Sequence, residues 1–290
     1  VKEVSKFEQR QAVAVTLEES YDDWCLAQLA GELQKTGDAQ YFLNRSGNYK
    51  NVYNPATGFM SPKKADGTWV EPFDPKTSGG TGCRAYFAEI NAWNYSWFVP
   101  HDIQNLIHIM GGAQKFTSKL DQLFEESLNG YAKWSTISNQ PDASGIVGQF
   151  VMGNEPVFNV PYLYVYAGEP WKTQKRVRQL MDAWFRNDVQ GICGDEDGGG
   201  LSSWYVFTAM GFYPMTPGKP EYVIGSPIFE EITIDLGNGK TFVLKAPGAN
   251  GQMKYVKKVT VNGKVVTDYR FNHQDIANGG IIELEMANRH

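Results

Sequence analysis

Apolar residues in the first part of the chain recur at helical spacing. Between Val15 and Thr36 they fall at Leu17, Tyr21, Trp24, Cys25, Leu29 and Leu33, one side of a helix, and Gly37 stands where it could end it. A shorter helix is predicted over Ala39 to Tyr49. An irregular stretch from Asn54 to Gly82 follows, with turn chemistry at Asn54-Pro55, Asp66-Gly67 and Ser78-Gly79-Gly80. Helical patterns resume over Tyr86 to Phe98, Ile103 to Met110, Gln114 to Glu126, Pro161 to Ala167, Lys172 to Phe185 and Leu201 to Met210, the last closed by Gly211. After Pro220 the period changes to two. Strands are predicted over Ile232 to Leu236, Thr241 to Lys245, Tyr255 to Val261 and Ile281 to Met286, with hairpin turns at Asn238-Gly239 and Asn262-Gly263.

Helices in successive hairpins, with long loops before some of them, predict an α/α toroid whose loops converge on one face. About seven or eight helices are legible, against about twelve for a ring of six hairpins. The expectation is therefore a mainly α chain that begins inside a domain: an incomplete toroid over residues 1–219, then a small C-terminal β-rich domain over 220–290.

Composition narrows the function classes. With 42% hydrophobic and 20% charged residues among 290, the chain can bury a sizeable core. A net charge of -5, with Lys and Arg dispersed, offers no footprint for nucleic acid or an anionic membrane. No apolar run approaches the roughly 18 residues of a membrane span, and VKEVSKFEQRQ has no signal-peptide core. Cys25, Cys83 and Cys193 are too far apart for a CxxC site and are odd in number, so they read as free thiols. Four histidines without HExxH spacing argue against zinc. GxSxG and P-loop signatures are absent, and Gly198 to Gly200 lack dinucleotide-fingerprint spacing.

Three segments carry candidate chemistry. In Gly194-Asp195-Glu196-Asp197-Gly198-Gly199-Gly200, three consecutive carboxylates stand at a glycine-rich helix entrance, where a purely structural cap would account for one aspartate and not all three. In Glu89-Ile90-Asn91-Ala92-Trp93-Asn94-Tyr95-Ser96-Trp97, one acid lies among aromatics on a helical stretch. Burial beside Trp93 and Trp97 would raise its pKa, as a general acid needs, whereas a solvated helix face is the ordinary alternative; aromatics of this kind also stack on pyranose rings. Gly153-Asn154-Glu155-Pro156 is an oxygen-rich turn of the kind that suits a hard cation, although an ordinary helix start looks much the same.

These segments, together with Tyr21-Asp22-Asp23-Trp24, Trp69-Val70-Glu71-Pro72-Phe73-Asp74-Pro75 and Pro170-Trp171-Lys172-Thr173-Gln174, resemble glycoside hydrolase family 92, the calcium-dependent exo-α-mannosidases. The resemblance implies an (α/α)6 barrel fused to β elements, with an N-terminal β-sandwich that this chain does not contain, in a periplasmic or secreted protein. It implies hydrolysis of terminal α-linked mannose from glycans with inversion. Glu89 would be the general acid, Asp195 and Asp197 the general base, and Trp93 a substrate-binding residue. It also implies calcium, held partly by the Asn154 carbonyl and the Glu155 carboxylate and gripping the mannose O2 and O3 hydroxyls. Inversion would separate acid and base by about 6.5 to 9.5 Å. Three departures stand out: Ile90 replaces the glycine common after the acid, Val157-Phe158-Asn159 replaces a serine and histidines, and Ser138-Asn139 stands where α-1,2-specific members carry His-Glu. The competing expectations are a mannose-binding module on a degenerate glycosidase fold and a different α/α-toroid enzyme.

Overall fold

The computed structural model describes residues 11–79, 86–128 and 144–290. Cys83 and the Ser138-Asn139 pair lie outside these residues. The chain divides into two compact units, Val1–Val157 and Phe158–His290, a division upstream of the change in periodicity at residue 220.

In the first unit, α1 (Ala12–Glu32) buries Val13, Ala14, Leu17, Ala27 and Ala30. It ends earlier than the apolar spacing predicts. The Lys35 amide donates to Ala30 O at 2.8 Å and the Gln34 amide to Gly31 O at 2.9 Å, with Gln34 at φ 58: a Schellman cap built without glycine. Gly37 does not terminate a helix; it lies inside α2 (Thr36–Arg45), which runs into a 3-10 turn over Ser46–Val52. A two-residue hairpin, β1 (Tyr53–Asn54) and β2 (Phe59–Met60), precedes the 86–98 segment, of which only α3 (Ala92–Tyr95) is helical. Helices α4 (Ile103–Ile109) and α5 (Ala113–Leu123) and the hairpin β3 (Ile146–Val147), β4 (Phe150–Val151) complete the unit. Trp97, Tyr95, Leu106, Phe116, Leu120 and Phe150 are buried at its centre, with Trp97 edge-on to Phe116 at 5.2 Å between centroids. The start of α1 is tied to the 86–98 segment, since the Val13 and Ala14 amides both donate to Tyr86 O and Tyr95 Oη donates to Glu18.

In the second unit, α6 (Leu163–Tyr166), α7 (Pro170–Trp184) and α8 (Gly200–Met210) precede β5 (Phe212–Tyr213), β6 (Glu221–Ile224), β7 (Glu231–Asp235), β8 (Thr241–Lys245), β9 (Tyr255–Val261), β10 (Lys264–Val266), β11 (Arg270–Asn272), α9 (His273–Ala277) and β12 (Ile281–Ala287). The predicted strands form a five-stranded sheet in the order β10-β9-β12-β8-β7, with β12 and β8 parallel. Asn262 and Gly263, both at positive φ, make the β9–β10 turn. A second sheet, β11-β6-β5, has strands of two to four residues, too short to show a period in the sequence. Both sheets bury their apolar residues in one core: Phe212, Ile224 and Phe271 from the small sheet meet Phe242, Leu244, Val259 and Ile282 from the large one.

Helix α7 is stitched into this unit. Buried Arg178 donates to Pro227 O at 2.7 Å and Asn250 O at 2.6 Å, and Gln174 Oε1 accepts from the Val256 amide at 3.0 Å. These bonds satisfy main-chain groups of two strand connections and of β9 that would otherwise be stranded. None of the described helices is long and apolar enough to cross a membrane. Cys25 and Cys193 are free thiols.

Gly211 closes α8 at φ 95, and a Cβ there would stand 2.8 Å from the Pro227 ring and 3.0 Å from its nitrogen. Gly211→Ala is expected to destabilise the protein by about 1–3 kcal/mol, from left-handed strain plus overpacking. A urea titration measures it.

Candidate active site

Glu89 does not lie on a helix, as its aromatic neighbourhood predicted, but at the apex of a tight turn. The Ile90 amide donates back to Ala88 O at 2.5 Å, and Glu89 takes φ 55. Such a conformation costs a non-glycine residue of order 1–3 kcal/mol and persists only where the surroundings over-determine it. They do so here. The Ser78 hydroxyl donates to Glu89 O, and the Gly79 amide donates to Ile90 O at 3.1 Å. Gly79 must be glycine, because a Cβ would stand 1.7 Å from Phe87 O. Ile90 is buried.

Below the turn, three buried amides form a network. Asn91 Nδ2 donates to Gln149 Oε1 at 2.9 Å and Lys76 O at 3.2 Å; Asn94 Nδ2 donates to Asn91 Oδ1 at 2.9 Å and Gln149 O at 2.7 Å. Gln149 Nε2 donates to Ser127 O at 2.9 Å. In a low-dielectric interior hydrogen bonds of this kind fix the groups that make them, although Asn94 Oδ1 is buried without a partner. These residues, with Ser78 and Gly79, support Glu89 and carried no signal in the sequence beyond the proximity of Asn91 and Asn94 to the acid.

The Glu89 side chain is half-buried, and its Oε2 accepts from Asn154 Nδ2 at 2.6 Å. Two segments separated by 65 positions, the acid and the Gly153-to-Pro156 turn, therefore meet in one place. Asn154 is 1% exposed and its Oδ1 has no hydrogen-bond partner, while Glu155 next to it is exposed. A buried, unpartnered amide oxygen beside an accessible carboxylate fits a hard, oxygen-seeking cation. Among the described residues there is no group of three or more His, Cys, Asp and Glu that would hold a metal by themselves.

Trp93 is not an open stacking platform. It is 6% exposed, edge-on to Phe59 at 4.8 Å between centroids, with the Lys119 ammonium 4.3 Å from its ring centroid. Trp97 is deeper, at 1%, and its Nε1 donates to Trp93 O at 2.8 Å. The two indoles of this segment are core residues of the first unit.

In the second unit the three carboxylates of the 195–197 run separate by role. Glu196, and not an aspartate, is the cap: its Oε2 accepts from the Gly199 amide at 2.6 Å and its Oε1 from the Ser202 amide at 3.2 Å, holding the first turn of α8. Ser202 and the Gly199 amide keep the Glu196 carboxyl below its ordinary pKa. Asp195 and Asp197 flank it, both exposed, and among the described residues neither carboxylate is taken by a cation or a hydrogen-bond donor. The loop is wound by Gly194, Asp197, Gly198 and Gly199, all at positive φ, and Asp197 is the non-glycine among them. Gly200 then enters α8 against Phe158, whose carbonyl accepts from Trp204 Nε1 at 2.9 Å.

The chain belongs to glycosyl hydrolase family 92: residues 2–288 match that family's catalytic domain. It is similar to the structure of a GH92 α-mannosidase from Bacteroides thetaiotaomicron, with 36% identity and a TM-score of 0.87 over 97% of this chain and 36% of that one. A structure of that enzyme in complex with mannoimidazole matches with 35% identity and a TM-score of 0.87, over 96% and 36% of the two chains. A GH92 inverting mannosidase from B. thetaiotaomicron VPI-5482 matches with 39% identity and a TM-score of 0.83 over 96% of this chain and 38% of that one. A protein of Arthroderma benhamiae described as an uncharacterized secreted glycosidase is 29% identical over 96% of this chain. The chain spans 36% of that relative's length.

Glu196 contributes stability above its unfolded pKa, near the ordinary 4.5, and that contribution is lost as pH falls through its lower folded value. Glu196→Gln should therefore flatten the acid side of the stability curve while changing little in alkali. Denaturant midpoints measured from neutral pH downward test this; parallel acid limbs for the two proteins would contradict it.

Proposed function

We propose that the protein containing this chain is an inverting exo-α-mannosidase that releases terminal α-linked mannose from glycans, including N-glycans, in the periplasm or outside the cell. One observation carries the reading: the Asn154–Glu89 hydrogen bond joins the proposed acid to the proposed cation turn. The helical elements are read as part of an (α/α)6 barrel over residues 1–219, with 220–290 as the appended β-rich domain.

In this mechanism Glu89 is the general acid. Its Oε2 is occupied as an acceptor by Asn154, so the transferable proton sits on Oε1, which donates to the leaving glycosidic oxygen as the C1–O bond breaks. Asp195 and Asp197 act as the base, one carboxylate taking a proton from the attacking water. Glu196 leaves them free by serving as the cap. Trp93 closes the wall of the sugar subsite from behind. A calcium ion would be held by Asn154 through its carbonyl and by Glu155 through its carboxylate, supplying Lewis-acid polarisation of the mannose O2 and O3 hydroxyls.

Glu89→Gln should reduce turnover of an α-mannoside about 10²- to 10⁴-fold while preserving the fold, because the amide still accepts from Asn154 but has no proton to give. Proton NMR of the first product formed should show β-mannose. Retention of configuration, or undiminished turnover in Glu89→Gln, contradicts the mechanism. Chelation by EGTA should abolish turnover and calcium restore it, and Glu155→Ala should raise the calcium concentration needed.

A further inference from the structure

We propose that Lys119, on α5, is a positioning residue for the Glu89 site, its ammonium lodged against Phe59 and Trp93 so as to hold the indole behind the acid. The inference rests on the reading of Glu89 and Trp93 as parts of the active site. Lys119 Nζ is 3.4 Å from the Phe59 ring centroid and 4.3 Å from that of Trp93, both inside the range where an ammonium is attracted by a π face. The two rings are themselves edge-on at 76° and 4.8 Å, so the cation closes a three-sided contact between β2, α3 and α5.

The ammonium has no carboxylate partner among the described residues. The acid that faces it, Glu126, is engaged by Lys76 at 2.5 Å. Tyr53 and Lys115 line the same cavity of about 400 Å³, and neither supplies a negative charge at neutral pH. Burial accordingly pulls Lys119 down from 10.5 to about 8, against a smaller opposing effect of Glu126. A methionine or leucine would fill this place at less cost, so a desolvated lysine here resembles a residue retained for function at the expense of stability.

Trp93 lies four residues after Glu89, in the first turn of the helix that the Asn91, Asn94 and Gln149 network anchors. Holding its ring thus restrains the segment that carries the acid. The expected consequence is in sugar binding more than in the proton transfer itself.

The chain labelled with 5-fluorotryptophan, with Trp93 assigned through Trp93→Phe, provides a readout that needs no activity. The Trp93 fluorine resonance should titrate with a midpoint near 8 in the native protein, and not in Lys119→Met or Lys119→Arg. Because the folded value lies below the unfolded one, native stability should rise as pH goes from 8 to 10.5, a rise absent in Lys119→Met. Lys119→Met should keep or raise the melting temperature while raising KM for 4-nitrophenyl α-mannoside about tenfold with a smaller change in kcat. Lys119→Arg should restore KM. A Trp93 resonance that does not titrate, or that is the same in Lys119→Met and the native chain, overturns the proposal; so does an unchanged KM in an active Lys119→Met. Absent turnover in the full-length protein that contains this chain, alongside the expected titration, overturns the mannosidase reading and supports the Lys119–Trp93 contact.

Discussion

The first unit is organised around a backbone constraint: Glu89 is held in a left-handed conformation that an L-residue avoids. Ser78 and Gly79 grip the main chain on either side of the turn, Gly79 by having no side chain, and Asn154 grips the carboxylate. Strain of this kind is retained where the environment fixes it. The surrounding features follow from that need. The Asn91, Asn94 and Gln149 amides give the next residues a hydrogen-bonded polar seat, and Trp93 of α3 packs edge-on to Phe59. The start of α1 secures the other end of the segment through Tyr86.

The second unit solves a different problem, that of keeping two carboxylates close together without neutralising either. Like charges at a glycine-rich turn repel, and the usual remedies are a cation or a cap. The loop spends the middle carboxylate, Glu196, on the helix entrance and so leaves Asp195 and Asp197 unengaged. Left-handed glycines on either side, Gly194, Gly198 and Gly199, permit the tight winding of this loop. If the pair is the base, Glu196 is the residue that makes it available.

Some of the fold was legible because its physics is local. Strands β8 and β9 appear at their predicted bounds, since period-two alternation and the Asn262-Gly263 turn are properties of a few adjacent residues. Helices α5, α7 and α8 lie within a few residues of their predicted spans for the same reason. The helix predicted over Tyr86 to Phe98 shrank to one turn, because hydrogen bonds from Ser78 and Gly79, which no local pattern reveals, hold Glu89 and Ile90 out of helical geometry. The end of α1 was misread because glycine was expected at the left-handed cap that Gln34 occupies.

The sequence by itself determined which carboxylates stand in unusual surroundings, which stretches are helical or extended, and the family to which they belong, because residue type, period and motif are written in the linear order. Only the tertiary structure decided that Glu196 is the cap, that Trp93 is buried against Phe59 rather than open to solvent, that Asn154 binds the acid through its side chain, and that Lys119 sits on two aromatic rings. Each of these depends on contacts between segments brought together by burial, and residue spacing carries no record of which distant group fills a given hydrogen bond or ring face.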